Sequence, residues 1–263
     1  MTESLHYNLL RIHLVNMNIV IPMAGQGTRV DGIIPKPLTK LIHNKTMIQL
    51  ALESLNIDGN YCFITRKYSN YDWNVELYKI LRNTVNSPVI VEIDFLTDGP
   101  AISALHAPYL FFEDKDLLIT NCDQILFWES TKFLDFLKTT DANGVVVTYN
   151  VQTPKNSYAL IKKKEEHCVY PQFTEVKEKQ IVSKHSLNGI HWVKHGVLFA
   201  KAVEEMVKNR DNVNGEYYVG PAFTYVPEIK RVYPIDKKEH WAVGTQGDIN
   251  KFIDYYRDKY DRR

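Results

Sequence analysis

From residue 17 onward, short β-rich runs alternate with helical stretches, and this alternation constrains the fold more than any other feature of the sequence. The apolar run at residues 18–23 is followed by an amphipathic segment at 47–55. Further strands are predicted at residues 61–65, 88–95, 117–121 and 144–149, and helices at 71–85, 100–111 and 129–139. Strands that alternate with helices predict an α/β fold built on a mostly parallel sheet.

The second half of the chain follows a different pattern. After residue 153 the alternation weakens into β-prone segments at 157–161, 173–177 and 189–193, followed by a helix near 200–209. A strand at 229–235 and a helix at 248–260 end the chain. Because 263 residues are close to the upper limit for one hydrophobic core, we expect one domain with a smaller lobe. Residues 1–16 are expected to form a short extension before this domain.

Composition excludes several classes of protein. Thirty-two basic residues stand against 31 acidic ones, so the net charge of +1 gives no general attraction to nucleic acid or to an anionic membrane. Three cysteines without Cys-x-x-Cys spacing argue against a disulfide framework and a structural zinc site, and favour the reducing cytoplasm. No apolar run reaches the length of a membrane span, and residues 1–16 lack the apolar core of a signal peptide.

A glycine-containing segment, Ala-Gly-Gln-Gly-Thr-Arg, directly follows the first strand at residues 24–29. In open α/β sheets, ligands bind beyond the carboxyl ends of the strands. Glycines there allow a sharp turn whose N–H groups can approach an anion, and Arg29 adds a fixed positive charge. The segment fits neither the Rossmann dinucleotide fingerprint nor the Walker loop. Taken alone, Gly-x-Gly is more often an ordinary tight turn than a phosphate loop.

Lys36 lies between two prolines a few residues after the glycine segment. Each proline disfavours helical geometry in its predecessor, so we expect Lys36 in a stiff, extended segment that aims its ammonium group. A solvated lysine in a turn is the usual alternative for a single lysine. Beside a glycine loop, however, an oriented cation is what phosphate charge requires, and we therefore assign Lys36 a phosphate-binding role.

Asp123 ends the buried-strand pattern Leu-Leu-Ile-Thr-Asn-Cys-Asp at residues 117–123. Its carboxylate is expected where the sheet opens onto its ligand crevice. Mg²⁺ prefers hard oxygen ligands and is commonly held by one or two carboxylates together with substrate phosphates. We predict that Asp123 binds Mg²⁺, although an isolated aspartate at a strand end more often caps a turn or a helix.

The ordered combination of these segments resembles the sugar-phosphate nucleotidylyltransferase family. Ile-Pro-Met-Ala-Gly-Gln-Gly-Thr-Arg at residues 21–29 and Pro-Lys-Pro-Leu at 35–38 carry its signature. Residues 97–102 resemble the nucleotide-contacting segment, 121–124 the metal-binding strand end, 178–179 the acceptor-binding Glu-Lys pair and 188–190 the strand over the acceptor. Residues 213–221 match a segment of capsule-type members, and 241–245 match the closing motif. The likeness covers nearly the whole chain from residue 17.

The resemblance implies a Rossmann-like, three-layer α/β/α fold with a mostly parallel mixed sheet and an inserted acceptor-binding lobe. Residues 17–150 would form the nucleotide-binding part and 151–228 the acceptor lobe, closed by the C-terminal strand and helix. Catalytic roles are implied for Arg29, Lys36 and Asp123. Nucleotide contacts are implied for Ala24, Gly25, Gln26, Gly27, Thr28, Thr97, Gly99, Pro100 and Asn121. Acceptor contacts are implied for Glu178, Lys179, Asn188, Gly189 and Glu216.

The implied reaction joins a nucleoside triphosphate to a small phosphorylated acceptor, a sugar phosphate first of all, with Mg²⁺ and release of pyrophosphate. One departure concerns the metal. Many family members carry a second metal-binding aspartate where this chain has Ala242, so either another acid such as Glu216 or Asp248 substitutes, or one carboxylate suffices.

Two alternatives stay open at this stage. One is a cytidylyltransferase for a non-sugar phosphate, such as a phosphorylated amino acid derivative or amino alcohol, in capsule modification. The other is a non-catalytic nucleotide-binding regulatory subunit. The nucleotide base, the acceptor and the oligomeric state are not fixed by the sequence, although family members often associate. The Tyr217–Tyr218 and Tyr255–Tyr256 pairs are expected to pack on helices rather than to contact a ligand.

Overall fold

The computed structural model describes residues 17–27, 30 and 34–261, and within them a mixed sheet runs through the centre of the molecule. Strands β1, β2, β3 and β4 are parallel to one another, in the order β3-β2-β1-β4. Strand β9 is antiparallel between β4 and β6, and β10 continues the sheet parallel to β6. The strands span Asn18–Met23 (β1), Asn60–Arg66 (β2), Val89–Ile93 (β3), Leu117–Ile119 (β4), Gly144–Tyr149 (β6), Ser186–Val193 (β9) and Lys230–Pro234 (β10).

Two smaller strand pairs extend this framework. Strands β7 (Ser157–Ile161) and β8 (Phe173–Glu178) form an antiparallel hairpin that joins the main sheet where Tyr158 pairs with Ser186 of β9. Strands β5 (Gln124–Leu126) and β11 (His240–Ala242) form a separate antiparallel ribbon. The ribbon brings the C-terminal part of the chain beside the segment that leaves β4.

Two of the helices begin at side-chain caps that the sequence supplies. Helix α1 begins with a capping box in which Thr46 and Gln49 satisfy each other's backbone N–H groups, and it ends at Asn56 in the left-handed conformation. Asn70 caps α2 by accepting a hydrogen bond from the N–H of Asp72. The helices span Met47–Leu55 (α1), Tyr71–Thr84 (α2), Pro100–Ala104 (α3), Ser130–Thr139 (α4), Gly196–Lys208 (α5), Val219–Ala222 (α6) and Gln246–Tyr256 (α7).

The hydrophobic core lies on both faces of the sheet. Along β1, Val20 packs on one face with Ile64 and Ile119, while Ile19 and Ile21 pack on the other. Alternate residues of a strand point to opposite faces, so a strand that is apolar at every position must be covered twice. This gives the three layers of the predicted α/β/α fold.

The structure differs from the sequence-based boundaries in several places. The helix predicted at 100–111 is α3 followed by a separate 3₁₀ turn at Tyr109–Phe112, and the strand predicted at 117–121 ends at Ile119. Lys36 does not lie in an extended segment, because Lys36–Leu38 form a 3₁₀ turn after the extended Pro35. Tyr217 and Tyr218 precede α6 rather than pack within a helix. Residues 1–16, the predicted extension, lie outside the described part of the chain.

Within the described residues, none of the helices combines the length and the apolar character needed to cross a bilayer.

The buried His191 of β9 predicts how stability depends on pH. Burial lowers its pKa to about 4, below the ordinary value of about 6.5 in an unfolded chain. The unfolded chain therefore binds the extra proton first, so the stability contribution is complete above pH 6.5 and is lost as the pH falls toward 4, by at most roughly 3 kcal/mol. Urea unfolding between pH 7.5 and 4.5 should show a shallower decline for His191→Leu than for the wild type. Equal slopes would contradict the assignment.

Candidate active site

A cleft of about 620 Å³ opens at the carboxyl ends of β1 and β4, within the size range of small-molecule sites. Its walls come from distant parts of the chain because parallel strands deliver their ends to one edge of the sheet. Predicted site residues that line it are Ala24, Gly25, Gln26, Gly27, Lys36, Thr97, Gly99, Pro100, Asn121, Asp123, Glu178, Lys179 and Glu216. Thr28 and Arg29, which were also predicted, lie outside the described residues.

Lys36 and Asp123 meet in this cleft. The Lys36 Nζ lies 2.5 Å from the Asp123 Oδ2, and the two side chains are only 10% and 22% exposed. Gly27 lies over the lysine with φ +67°, and a Cβ at this glycine would be 3.0 Å from the Lys36 Cβ. The glycine turn, the lysine and the strand-end carboxylate therefore form one continuous surface.

The closing segment at residues 241–245 packs against Asp123. The N–H of Val243 donates to the Asp123 carbonyl oxygen at 2.9 Å, and a Cβ on Gly244 would lie 3.2 Å from Asp123 Oδ2. Ala242 pairs with Gln124 across the β5–β11 ribbon. Burial lowers the pKa of His240 to about 4, so this neighbour is neutral at pH 7. The segment shapes the space beside Asp123 without adding a second charge there.

Gly99 joins two walls of the cleft through its backbone. It has φ +105°, and a Cβ there would lie 2.6 Å from both the backbone nitrogen and the oxygen of Tyr217. Tyr217 N–H donates to Asp98 O at 2.7 Å, and Ala101 N–H donates to Tyr217 O at 3.0 Å. Only glycine fits both the conformation and this close approach. The segment at 97–102 and the segment at 213–221 are consequently held together in the folded chain.

Hydroxyl groups line the same wall. The Thr97 and Ser103 hydroxyl oxygens are 2.6 Å apart, and the Thr97 hydroxyl also donates to the Gly99 carbonyl at 3.2 Å. Ser103 lines the cleft although it is almost completely buried. This wall can therefore offer hydroxyl oxygens and backbone groups to a ligand, with no charged group among these three residues.

The far end of the cleft contains a chain of polar contacts. Glu178 is 7% exposed and accepts a hydrogen bond from the Ser157 hydroxyl, and burial raises the pKa of its carboxyl group. Lys179 adopts φ +57° and donates from Nζ to the Tyr218 hydroxyl at 2.9 Å, while that hydroxyl donates to Glu216. Carboxylates and hydroxyls arranged in this way suit a polyhydroxylated or phosphorylated ligand.

Asn188 and Gly189 do not line the cleft. Asn188 is 4% exposed and its side-chain oxygen accepts from the N–H of Ile190 at 2.9 Å. Gly189 has φ +99°, and a Cβ there would lie 2.8 Å from Cγ of Asn121. These two residues stand behind Asn121 and leave room for its side chain, which itself reaches the cleft. Asn188 and Gly189 would therefore affect ligand binding only indirectly, through the position of Asn121.

Several cleft residues were missed by the sequence reasoning, namely Leu96, Ser103, Cys122, Lys155 and Tyr218. Tyr218 follows the Asn-Gly-Glu-Tyr sequence that resembled a capsule-type segment, and this position could have marked it as a site residue. Lys155 follows Pro154 at the end of a loop, and no local pattern distinguishes it from a solvated lysine. Both residues lie in the cleft because the folded chain brings together segments that are far apart in the sequence.

Within the described residues, no group of three or more His, Cys, Asp or Glu side chains is arranged to hold a metal ion by itself. Asp123 supplies one carboxylate in the cleft, with Oδ2 on Lys36. Of the proposed substitutes for a second ligand, Glu216 lines the far end and accepts from Tyr218, whereas Asp248 does not line the cleft and accepts from the Thr245 hydroxyl at 2.6 Å. The donor set fits a metal that arrives chelated by phosphates.

The fold is a Rossmann-like α/β structure that solved nucleotide-sugar pyrophosphorylases share. The nucleoside-diphosphate-sugar pyrophosphorylase of Vibrio cholerae RC9 matches with a TM-score of 0.72 at 19% identity, over 90% of this chain and 99% of that one. A UDP-glucose pyrophosphorylase complexed with UDP-glucose matches with a TM-score of 0.70 at 15% identity, over 93% and 99% of the two chains. The UTP-bound UGPase of Acinetobacter baumannii matches with a TM-score of 0.67 at 12% identity, over 94% of both.

These matches confirm the predicted fold over nearly the whole chain. The names of the matched proteins also agree with the family that the sequence motifs resemble. No family model matches the chain, and no curated protein matches it by sequence. The comparisons therefore establish the architecture, and the function follows from the chemistry of the cleft.

The Gly99 contact yields a stability prediction. Gly99→Ala introduces both a strained φ and a collision with the Tyr217 backbone, so we expect a loss of about 2 kcal/mol or more in the free energy of unfolding. Gly25→Ala is the matched control, because a Cβ there meets no atom within 4 Å, and its free energy of unfolding should change by less than about 0.5 kcal/mol. Urea denaturation measures both. Equal stability of the two variants would contradict the contact.

Proposed function

We propose that the protein transfers a nucleoside monophosphate from a nucleoside triphosphate to a sugar phosphate, giving a nucleotide-activated sugar and pyrophosphate. The single observation that carries this proposal is the Lys36–Asp123 contact beneath the glycine turn, at the mouth of the sheet. A fixed cation, a carboxylate and exposed backbone N–H groups in one cleft match what a metal-chelated triphosphate needs. The names of the matched structures support the same reaction class.

The triphosphate would lie along the glycine turn at residues 24–27. Gly25 carries no side chain and a Cβ there would meet open space, so a phosphate can approach the backbone closely. Lys36 would neutralise part of the phosphate charge, and we assign Arg29 a similar role by the family resemblance. The segment at 97–100, with Asn121 opposite, would hold the nucleoside.

Asp123 would be the protein ligand of the magnesium ion, with the remaining positions filled by phosphate oxygens and water. The ion supplies charge neutralisation of the phosphates when it is bound. Since Ala242 provides no carboxylate, we propose a site that depends on one protein carboxylate and on the triphosphate itself. Lys36 already neutralises Asp123 in the folded chain, so both groups are held in place before a ligand binds.

The reaction needs positioning and charge neutralisation more than a covalent nucleophile. An oxygen of the acceptor phosphate attacks the α-phosphorus in line and forms a new P–O bond. The bond between the α-phosphorus and the bridging oxygen to the β-phosphorus breaks, and its electron pair leaves with pyrophosphate. Lys36 would stabilise the negative charge that grows on this leaving group.

The acceptor would occupy the far end of the cleft, between Glu178, Lys179 and Glu216. The buried Glu178 carboxylate is positioned to accept hydrogen bonds from sugar hydroxyls, as it already accepts one from Ser157. We accordingly propose residues 17–150 as the nucleotide-binding part and 151–228 as the acceptor lobe. We also propose a cytoplasmic location, where nucleoside triphosphates are made, and a role in capsule polysaccharide synthesis on the basis of the segment at 213–221.

Substitution of the central pair tests the catalytic assignment. Lys36→Ala and Asp123→Asn should each lower kcat by about a hundredfold or more, because removal of one preorganised electrostatic group typically has an effect of that size. Lys164→Ala, an exposed lysine in the turn at Lys163–Glu165, is the control and should retain wild-type kcat. Circular dichroism and urea unfolding would show that each variant is folded. Near-wild-type rates for both cleft variants would refute these roles.

A substrate panel tests the reaction itself. Purified protein is incubated with one of four nucleoside triphosphates and one phosphorylated acceptor at a time. The acceptors are glucose 1-phosphate, an amino-sugar phosphate, phosphoethanolamine and a phosphorylated amino acid, and the released pyrophosphate is measured. We expect release only when a sugar phosphate is present, loss of release with EDTA and recovery with excess Mg²⁺. Release with phosphoethanolamine but with no sugar phosphate would instead favour the non-sugar cytidylyltransferase. Tight triphosphate binding without any release would indicate a regulatory subunit.

A further inference from the structure

The lysines of the cleft are not equally available to a ligand. Lys36 is paired with Asp123 at 2.5 Å, and Lys179 donates to Tyr218 at 2.9 Å with its charge 4.7 Å above the tyrosine ring. The exposed Lys155 also lines the cleft, and within the described part of the chain its ammonium group makes no hydrogen bond or ion pair. Among the described lysines of the cleft, Lys155 is therefore the one whose ammonium group has no hydrogen-bond or ion-pair partner.

The loop that carries Lys155 is fixed on its N-terminal side. It connects β6 to β7 and spans residues 150–156. The hydroxyl group of Tyr158, which is completely buried, accepts from Thr153 N–H at 2.6 Å and donates to Thr153 O at 2.7 Å. A buried tyrosine thus sets the backbone two residues before Lys155.

The loop is fixed on its C-terminal side as well. The Asn156 amide group donates to the Tyr149 hydroxyl at 2.8 Å and to the Ser186 hydroxyl at 2.7 Å. The Asn156 carbonyl accepts from the Lys179 N–H at 2.9 Å. The Lys155 side chain is exposed, but hydrogen bonds fix the backbone of its loop on both sides and tie the loop to the Glu178–Lys179 end of β8.

The charges at this end of the cleft create a need for such a cation. A phosphate monoester carries a charge of about −1.5 to −2 at neutral pH. Glu178 and Glu216 face the same space, and both carboxylates repel a phosphate once they are ionised. Lys179 is shared between the Tyr218 hydroxyl and these carboxylates. A second cation would offset this repulsion when a phosphate enters beside them.

We propose that Lys155 binds the phosphate group of the acceptor and contributes to acceptor affinity. This assignment rests on the proposed transferase function and adds to it a residue that lies outside the sequence motifs. The Lys155 ammonium would donate charge-assisted hydrogen bonds to the phosphate oxygens that are not attacking. Glu178 and Glu216 would then contact the rest of the acceptor.

The test compares three variants with the acceptor that the substrate panel identifies, starting from glucose 1-phosphate. Lys155→Ala should raise the KM for the acceptor by about tenfold to a hundredfold, the range expected for loss of a hydrogen bond to a charged group. Its kcat at saturating acceptor and its KM for the triphosphate should stay within about twofold. Lys155→Arg should recover most of the acceptor affinity, and Lys164→Ala should behave as the wild type. A merely structural defect would not show this separation of the two KM values.

Failure of this inference is distinguishable from failure of the transferase proposal. A wild-type protein that releases pyrophosphate with an acceptor, together with a Lys155→Ala variant whose acceptor KM equals that of Lys164→Ala, overturns the role of Lys155 alone. An increase confined to the KM for the triphosphate, or a fall in kcat with an unchanged acceptor KM, overturns it too. A wild-type protein inactive with every acceptor overturns both proposals.

Discussion

The contact between Lys36 and Asp123 organises the site, because it joins segments that are 87 residues apart in the chain. Either charge alone would be costly in a position where the side chains are only 10% and 22% exposed. The pair therefore holds the turn after β1 and the segment after β4 at a fixed distance, and Gly27 and Gly244 pack against its two members. A ligand that brings both a cation and an anion can exchange with both members of the pair and leave neither charge unpaired. A metal-chelated triphosphate is such a ligand.

A second constraint is steric and lies in the backbone. Gly99 lets the Tyr217 backbone approach so closely that the two segments exchange hydrogen bonds, and Gly189 leaves room for the Asn121 side chain behind the cleft wall. The two ends of the cleft, proposed for the nucleotide and for the acceptor, are thus joined through backbone atoms, which have no rotamers to change. The next residue, Tyr218, contacts Lys179 and Glu216 through its hydroxyl group at the far end of the cleft. Positions defined in this way are suited to aligning two substrates for an in-line reaction.

The fold and much of the site could be predicted where local physics determined the outcome. Strand β1 and helix α1 have the predicted bounds, because continuous apolar residues and a helical period with a capping box are local signals. Strands β5 and β11 were missed, since three residues are too few to show a period and their pairing joins residues more than a hundred apart. Lys36 was assigned an extended backbone from its prolines, yet tertiary packing placed it in a 3₁₀ turn. Lys155 escaped prediction for a similar reason, because the buried Tyr158, outside the motifs, fixes the backbone of its loop. Tyr218 was expected to pack on a helix, but its hydroxyl contacts Lys179 and Glu216, which are distant in the sequence or two residues away.

The two ends of the cleft handle charge differently, and this difference bears on the type of acceptor. At the end proposed for the nucleotide, Lys36 and Asp123 form a direct ion pair, suited to a ligand of high and separated charge. At the far end, the buried Glu178 is stabilised by a hydroxyl, and a tyrosine hydroxyl stands between Lys179 and Glu216. Burial raises the pKa of Glu178, so its ionised form is costly there and gains from further hydrogen-bond donors. Sugar hydroxyls supply such donors without adding charge. An acceptor that is polyhydroxylated along its length and charged only at its phosphate fits this distribution, because its neutral part meets the carboxylates and its charge meets a lysine.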